Sequence, residues 1–478
     1  MANKLFRKKP ISVLMEESGD TGGLKRTLGR LNLITLGIGA IIGAGVFVLT
    51  GRVAAQYAGP ALALSFVMSG VACAFAGLCY AEFASMIPIS GSAYTYAYAT
   101  MGRIVAWIIA WALTLEYLLA ASTVAVGWSG YFNKFLHQIG WDLPAALTSA
   151  PFAFNTQFEW TGSICNLPAI GIILLIVVPL YRGVQESATI NNAVVILKLT
   201  VVFLFILLGW QYIDTANWVP FVPEAQSDKF GDYGWTGVFR GASVIFFAYL
   251  GFDAVSTAAQ EAKNPQRDMP WGILGSLFFC TIIYIIVSLV MTGIVPYKEL
   301  NSPAPITVAI EKAGEGLRWF NPFITAGAIA GLSSVILVML MGQTRIFLSM
   351  SNDGLFFKAF GKIHPKYKTP YLSTVITGMT AMLLSGLLPI EVLGDLVSFG
   401  TLLAFIIVCI GVMVLRYKRP DLSRPFKVPF FPVTPILGVL SCLAVMISLD
   451  NTTHILAAVW ILIGFLVYFF YGRKHAKY

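Results

Sequence analysis

Charged residues are scarce in this chain of 478 residues: Asp, Glu, Lys and Arg together make up 12%, against 57% hydrophobic residues. Soluble domains carry about 25% charged residues, so the composition excludes an ordinary water-soluble protein. Histidine and cysteine are also few, with four and six residues. Their spacing matches no zinc site, and five of the cysteines fall in apolar runs, so we expect neither a metal site nor a disulfide.

Motifs of membrane-embedded enzymes are also missing from the sequence, which has no HExxH, no GxSxG and no clustered acid pair. The repeated filter or charged ring of a channel is absent, and so is a signalling domain of the kind a membrane sensor would carry. The sequence therefore favours a transporter over an enzyme, a channel or a sensor, and it indicates no cofactor.

Long apolar runs of about 20 residues recur along the chain, the length needed to cross a hydrocarbon core of about 30 Å. They predict an all-α integral membrane protein, because an outer-membrane barrel would show ten-residue alternating strands. We predict about twelve transmembrane helices, over residues 31–56, 60–86, 104–131, 166–181, 190–210, 237–260, 271–295, 322–350, 371–389, 392–415, 430–449 and 454–471.

The net charge of +9 is distributed in a way that argues against nucleic-acid binding. With the N-terminus inside, most Lys and Arg residues fall in inner segments such as LFRKKP, RYKRPDLSRPFK and GRKHAKY, which is the positive-inside bias. No cleavable apolar core precedes residue 31, so we expect no signal peptide. We predict a multi-pass protein of the cell inner (plasma) membrane, surrounded by lipid, with both termini in the cytoplasm.

Four glycines crowd the middle of the first apolar run, GIGAIIGAGVF, at Gly37, Gly39, Gly43 and Gly45. Each glycine in a helix interior lowers helix stability by about 1 kcal/mol relative to alanine, so four glycines in one run need a structural explanation. One interpretation is a broken helix that exposes backbone groups to a polar cavity. The alternative is close helix packing through a small-xxx-small face.

The sixth span supports the interpretation as a broken helix, because VIFFAYLGFDAVS also places Gly251 and Asp253 at membrane depth. Two interrupted spans, five apart and running in opposite directions, indicate an inverted repeat of five plus five helices. Freed N–H groups at such a break favour a carboxylate, and freed carbonyls favour an ammonium. A zwitterionic amino acid supplies both groups.

Three ionisable residues at membrane depth are functional candidates, because burial there is costly. Lys198 is the only charge in its span, and a buried lysine can exchange a proton near neutral pH. Glu116 and Asp253 can likewise carry protons. The structural alternatives are a lysine bonded to helix carbonyls, a glutamate bonded between helices and an aspartate that caps a half-helix.

Three stretches, GIGAIIGAGVF, FFAYLGFDAVSTAAQEAKNPQRDMP and RPFKVPFFPVTPILG, resemble the amino acid–polyamine–organocation superfamily. The chain is most similar to bacterial members of its cationic amino acid transporter family. The resemblance implies the LeuT-type fold, with helices 1 and 6 broken and two further helices here. It divides the chain into a cytoplasmic segment 1–30, a ten-helix transport core 31–415 and a part 416–478 with two helices and the cytoplasmic C-terminus.

The resemblance also implies the substrate site. Main-chain amides of Ala44 and Gly45 would bind the carboxylate, and main-chain carbonyls from both breaks would bind the amino group, with Phe247 as an outer gate. Met339 on the eighth span would limit side-chain volume. The predicted substrate contacts are Ile41, Gly43, Ala44, Gly45, Phe247, Ala248, Leu250 and Met339.

In sodium-coupled relatives two adjacent hydroxyls, which match Ser333 and Ser334, bind sodium. In proton-coupled relatives a lysine that matches Lys198 takes that place, and Asp253 matches a proton-responsive position. The resemblance therefore implies proton symport of L-amino acids by alternating access. The family name suggests arginine and lysine, but Ala44 lacks the hydroxyl that some relatives have there and Met339 would limit side-chain volume, so we expect a small or medium neutral side chain. An exchanger and a transporter of arginine or lysine remain alternatives.

Overall fold

The structure is a computed structural model, and it describes residues 7–10, 28–87, 92–154, 158–183, 188–257, 259 and 262–477. In these ranges, seven helical stretches are long and apolar enough, by length and composition, to cross a membrane. The first of them, residues 30–86, contains two of the predicted spans, and three shorter apolar helices accompany the seven. The protein is therefore a helical, multi-pass membrane protein.

The helices of the first half of the chain are α1 (Arg30–Ile41), α2 (Thr50–Val53), α3 (Leu62–Met86), α4 (Ser92–Thr100), α5 (Arg103–Gln138), α6 (Leu167–Tyr181) and α7 (Ala188–Gly209). Those of the second half are α8 (Gly234–Ile245), α9 (Ala254–Thr257), α10 (Pro265–Ile294), α11 (Pro305–Lys312), α12 (Glu315–Arg318), α13 (Asn321–Asn352), α14 (Tyr371–Leu387), α15 (Ile390–Lys418), α16 (Val433–Ile447), α17 (Asn451–Val467) and α18 (Arg473–His475).

Several short elements between the apolar spans were not predicted. Helices α4 and α11 lie in connections, and two short strands, β1 (Phe152–Phe154) and β2 (Phe158–Trp160), form an antiparallel pair after α5. Apart from this short pair, the elements of the described residues are helical, in agreement with the all-α prediction. Aromatic residues alternate along these strands, and the Phe152 and Trp160 rings pack edge to face, 5.4 Å apart. Such cross-strand aromatic pairs stabilise short hairpins.

The first predicted break is confirmed. Helix α1 ends at Ile41, and Ile42 then adopts an extended conformation with ψ of 100°. The chain resumes as a π-helical turn over Gly45–Leu49. π-Helical turns are rare and are frequent at functional sites.

The second predicted break is also confirmed. Helix α8 continues as a 3₁₀ turn over Phe246–Tyr249, and Leu250 is extended with ψ of 141°. Gly251 has φ of +104°, and a Cβ there would lie 2.8 Å from the carbonyl of Ala40. Both the left-handed backbone and this close approach to α1 require glycine.

The longest helices pack in two groups. Helix α10 lies against α1 and α3, whereas α5 lies against α13 and α15, and α6 lies against α14. Helix α7 contacts both α10 and α13. The broken segments are thus positioned where the first group meets the second.

The two ends of the chain lie on one face of the molecule. The ammonium of Lys9 lies 3.1 Å from Asp353 Oδ1, at the end of α13, and Tyr94 donates to the other carboxylate oxygen at 2.6 Å. The backbone N–H of Lys477 donates to the carbonyl of the same Asp353 at 3.0 Å. Both ends of the described chain are therefore held at Asp353.

Candidate substrate and coupling site

The two breaks meet directly in the structure. A Cβ built on Gly45 would overlap the Cα of Ala248, so only glycine allows the π-helical turn to approach the 3₁₀ turn this closely. Both residues are buried. The predicted contacts from the first and the second break are therefore brought together, although they lie about 200 positions apart in the chain.

The alternative interpretation of the glycine run, close helix packing, is also correct. A Cβ on Gly39 would lie 2.6 Å from the side chain of Val195 on α7, and one on Gly43 would lie 3.1 Å from Val335 on α13. The same run of glycines thus breaks the helix and lets three neighbouring segments approach it.

A tyrosine that the sequence interpretation missed connects the two breaks. The hydroxyl of Tyr284, on α10, lies 2.8 Å from the carbonyl oxygen of Ile41 and 3.0 Å from that of Ala248. The hydroxyl has one proton, so it donates to one carbonyl at a time. Both carbonyls belong to the set predicted to bind the substrate's amino group. Nothing in the sequence marks this tyrosine among the other aromatic residues of the apolar helices.

Lys198 reaches the first break from α7. Its side chain is fully buried, and its ammonium donates to the carbonyls of Gly39 and, at 2.9 Å, of Ile42. These oxygens stand at the C-terminal end of α1, where the helix leaves carbonyls without an intrahelical partner and where a positive charge is favourable. A Cβ on Gly331 of α13 would lie 3.3 Å from Lys198 Cδ, so α13 packs against the lysine stem.

The two serines of α13 bond chiefly within their own helix. Ser333 donates to Ile329 at 2.8 Å and accepts from the indole of Trp128 at 2.9 Å. Ser334 donates to the carbonyl of Gly331 at 2.9 Å. This bonding to carbonyls of the preceding turn is common for hydroxyls in apolar helices. Ser333 and Ser334 follow two and three residues after Gly331, the residue that packs on Lys198.

The two predicted carboxylates also lie together. Glu116 on α5 and Asp253 at the second break are both buried, and they are close enough for their charges to interact. Tyr117, beside Glu116, donates to Asp253 Oδ2 at 3.0 Å. Among the described residues, Glu116 Oε2 has no hydrogen-bond partner. The structure therefore buries both carboxylates and places them on either side of Tyr117.

The remaining predicted contacts are buried near the breaks or on α13. Phe247 is buried and its carbonyl accepts the N–H of Leu250 at 3.2 Å, which closes the 3₁₀ turn. Ala44 is buried between the end of α1 and the π-helical turn. Met339 is buried on α13, 2% exposed, and its position against a side-chain pocket stays a prediction.

Two interrupted apolar helices, whose freed backbone groups meet inside the protein, define a membrane transporter rather than an enzyme. The profile of the family described as amino acid permease matches residues 28–477. The chain belongs to this family, within the amino acid–polyamine–organocation superfamily.

The relatives differ in the substrates that their names give. A branched-chain amino acid permease of Bacillus subtilis is 48% identical over all of this chain and 99% of its own length. A methylthioribose transporter of the same organism is 46% identical over 99% of each chain. A vacuolar cationic amino acid transporter of Arabidopsis thaliana is 37% identical over 88% of this chain and 68% of its own length.

Proposed function

We propose that this protein imports neutral L-amino acids across the cell inner (plasma) membrane by proton symport, with alternating access in a LeuT-type fold of five plus five helices. The core spans residues 31–415 and the two additional helices follow it, within a total of twelve spans. The two packed helix groups would move against each other around the breaks, as rigid units do in transporters of this architecture.

The geometry at the breaks supports a zwitterionic substrate. The amides of Ala44 and Gly45 bind the carboxylate, and the carbonyls that Tyr284 approaches, those of Ile41 and Ala248, bind the ammonium. The name of the Bacillus branched-chain permease supports a neutral apolar side chain. The direct contact of Gly45 with Ala248 supports this arrangement, because it brings the groups of both breaks to one place.

One observation carries the coupling mechanism: the bond from Lys198 to the carbonyls of Gly39 and Ile42. A protonated lysine ties α7 to the end of α1, beside the α13 serines that match the sodium site of relatives. Deprotonation removes the tie and favours the other access state. Proton release by Lys198 thus takes the place that sodium release has in sodium-coupled relatives. The pair of Glu116 and Asp253 exchanges protons beside the second break.

The distribution of charge supports cytoplasmic termini. The pKa of Lys8 is lowered by its partial burial and by the neighbouring charges of Lys418 and Arg419. Basic segments far apart in the sequence therefore gather on the face where the two ends of the chain meet. Such a basic face is typical of the cytoplasmic side.

Two other substrate classes are suggested by the relatives, namely methylthioribose and cationic amino acids. Methylthioribose has neither a carboxylate nor an ammonium, so it would leave the freed amides and carbonyls of the breaks without charged partners. A cationic side chain would need an acidic partner in the side-chain pocket. An amino acid exchanger on the same fold needs no change of site and differs only in what drives transport.

Uptake into proteoliposomes tests the proposal. We expect wild-type uptake of radiolabelled L-isoleucine to follow an inward proton gradient and to be indifferent to replacing sodium with potassium or choline. Lys198→Ala is expected to abolish gradient-driven uptake, because the variant lacks the ammonium that binds the α1 carbonyls and releases the proton. Lys198→Arg is expected to fail as well, since arginine stays protonated.

Binding and counterflow provide the control. The substrate contacts lie on other helices, so Lys198→Ala is expected to bind isoleucine with less than a threefold change in Kd. Strict sodium dependence of the wild type, or full proton-driven uptake by Lys198→Ala, would contradict the coupling mechanism. Exchange without any response to a pH gradient would identify the protein as an exchanger.

A further inference from the structure

One aromatic ring projects from the loop between α15 and α16. The side chain of Phe430 is 84% exposed, and its backbone has φ of +51°, in the left-handed region that bulky side chains rarely adopt. The Phe430 carbonyl accepts the N–H groups of Val433 at 2.8 Å and of Thr434 at 3.3 Å, at the start of α16. The Thr434 hydroxyl also donates to the carbonyl of Pro429 at 2.6 Å. The loop therefore fixes the ring in its exposed position, in a conformation of the kind that is common at functional sites.

An apolar helix face begins next to this ring. The exposed large side chains at the start of α16 are three or four residues apart, which places them on one side of the helix, and they are Val433, Ile436, Leu437 and Leu440. In a membrane-spanning helix such a face contacts the acyl chains of lipids. Tyr417, which is exposed at the end of α15, packs against the ring of Phe431, with the centroids 5.6 Å apart. Aromatic side chains concentrate where acyl chains meet headgroups, so Phe430 and Tyr417 indicate the level of the headgroups.

Positive charges gather at the same level. Lys418 ends α15 and Arg419 follows it, and Lys8 lies close enough to both for their charges to interact. The N-terminal segment is held in this place by the N–H of Lys9, which donates to the carbonyl of Tyr98 at 3.2 Å, and the helix α4 that contains Tyr98 packs against α15.

Only one of these three charges is neutralised. Arg419 bonds to Asp421 at 2.8 Å, whereas Lys8 and Lys418 form no ion pair with another described residue. Like charges that are held close together repel one another, and an anion bound among them removes the repulsion. The cluster therefore favours a negatively charged ligand.

We infer that this surface binds an anionic phospholipid. Lys8 and Lys418 bind the phosphate oxygens, Phe430 lies against the glycerol region, and the acyl chains run along the apolar face of α16. The continuity of the basic cluster with that apolar face favours a lipid over a soluble phosphate. A zwitterionic headgroup would bring a further positive charge to the cluster, so an anionic headgroup is preferred. The inference goes beyond the proposed function and does not depend on which substrate is transported.

Native mass spectrometry of the purified full chain tests the inference, with phosphatidylglycerol and phosphatidylcholine of the same acyl chains as the two probes. We expect the wild type to retain phosphatidylglycerol in preference. Lys8→Gln combined with Lys418→Gln should lower the affinity for phosphatidylglycerol about 20–30-fold, since each basic residue near anionic headgroups contributes about a factor of five. The matched control combines Lys362→Gln with Lys366→Gln, two exposed lysines in the loop after α13, and should leave this affinity unchanged.

Phe430→Gly separates lipid binding from folding. Glycine adopts a positive φ without strain, so the variant in phosphatidylcholine nanodiscs should have a melting temperature no lower than that of the wild type. Replacing phosphatidylcholine with phosphatidylglycerol should raise the melting temperature of the wild type more than that of Phe430→Gly, because the variant lacks the ring that contacts the lipid.

Three outcomes would overturn the inference. They are equal retention of both lipids by the wild type, an equal loss of affinity in the matched control, and an equal response of Phe430→Gly and the wild type to phosphatidylglycerol. If inorganic phosphate added to phosphatidylcholine nanodiscs stabilises the wild type as much as phosphatidylglycerol does, the cluster binds a soluble anion and the lipid is excluded. None of these measurements involves transport, so their failure and that of the proposed function are distinguishable.

Discussion

The glycine at position 45 shows how one missing side chain sets the distance between two helices. Gly45→Ala places a methyl group where Ala248 Cα now lies, so the two breaks must move apart. We expect the amides at the first break to lose their alignment with the substrate carboxylate. A charge-assisted hydrogen bond contributes about 1.5–3 kcal/mol, so isoleucine binding should weaken about 10–150-fold, measured by equilibrium binding.

The matched control for this change is Gly171→Ala, in the middle of α6. A Cβ at Gly171 would meet nothing within 4 Å, so the substitution should leave binding unchanged and stabilise the helix by up to about 1 kcal/mol. Equal affinity of Gly45→Ala and the wild type would mean that the contact of the two breaks does not shape the site.

Tyr284 provides a test of the carbonyls that face the substrate. Tyr284→Phe removes the donor that reaches Ile41 and Ala248, and a buried acceptor without a partner costs about 1–3 kcal/mol. We expect a lower melting temperature without substrate. Because the substrate ammonium can donate to the same carbonyls, isoleucine should raise the melting temperature more in Tyr284→Phe than in the wild type.

Tyr94→Phe is the control for a lost tyrosine hydrogen bond away from the breaks. The hydroxyl of Tyr94, on α4, donates to Asp353 Oδ2 at 2.6 Å. The loss should lower stability equally with and without isoleucine. If the two variants respond to isoleucine alike, the carbonyls near Tyr284 do not bind the substrate.

At the scale of elements, the segment between α15 and α16 is fixed to α3 by one carboxylate. Glu82, which is buried at the end of α3, accepts from Arg416 at 2.9 Å and from the backbone N–H of Val428 at 2.7 Å. Arg424 lies 3.5 Å away. The role of Glu82 as an anchor depends on residues more than 300 positions later in the chain.

Glu82→Ala is expected to destabilise the protein strongly. Two arginines lose their common partner, and removing one member of a buried ion pair costs about 3–5 kcal/mol. Thermal unfolding of the purified protein measures the loss. The control is Asp421→Ala in the same segment, which breaks an exposed pair with Arg419 and should leave the melting temperature unchanged.

At the scale of the whole molecule, we expect the size of the substrate to depend on residues from both packed helix groups. Met339 is the side chain of the second group predicted to limit the pocket. We expect Met339→Ala to admit longer side chains and to weaken binding of small amino acids, by about 1–3 kcal/mol for each methylene that loses its fit. Competition of unlabelled amino acids against bound isoleucine measures the profile, and an unchanged profile would show that Met339 faces elsewhere.

The sequence predicted the apolar helices and both breaks because each rests on local composition. Long uncharged runs form helices in lipid, and a glycine cluster or a Gly and Asp pair interrupts them. It did not predict α4, α11 or the β1–β2 hairpin, which lie in short polar connections where apolar periodicity is weak. Nor did it show that Tyr284 approaches both breaks, because an aromatic residue in an apolar helix has the same local pattern whichever way it faces.

The sequence by itself determined the class of protein and the placement of Lys198, Glu116 and Asp253 within apolar spans. It also determined the two helix breaks, which follow α1 and α8. These are properties of the distribution of apolar, charged and glycine residues along the chain. Only the tertiary structure decided which groups meet: Lys198 with the end of α1, Glu116 with Asp253, and Lys8 with the end of α15. Side chains far apart in the sequence become neighbours through helix packing, and packing depends on the shapes of all contacting faces rather than on any local pattern.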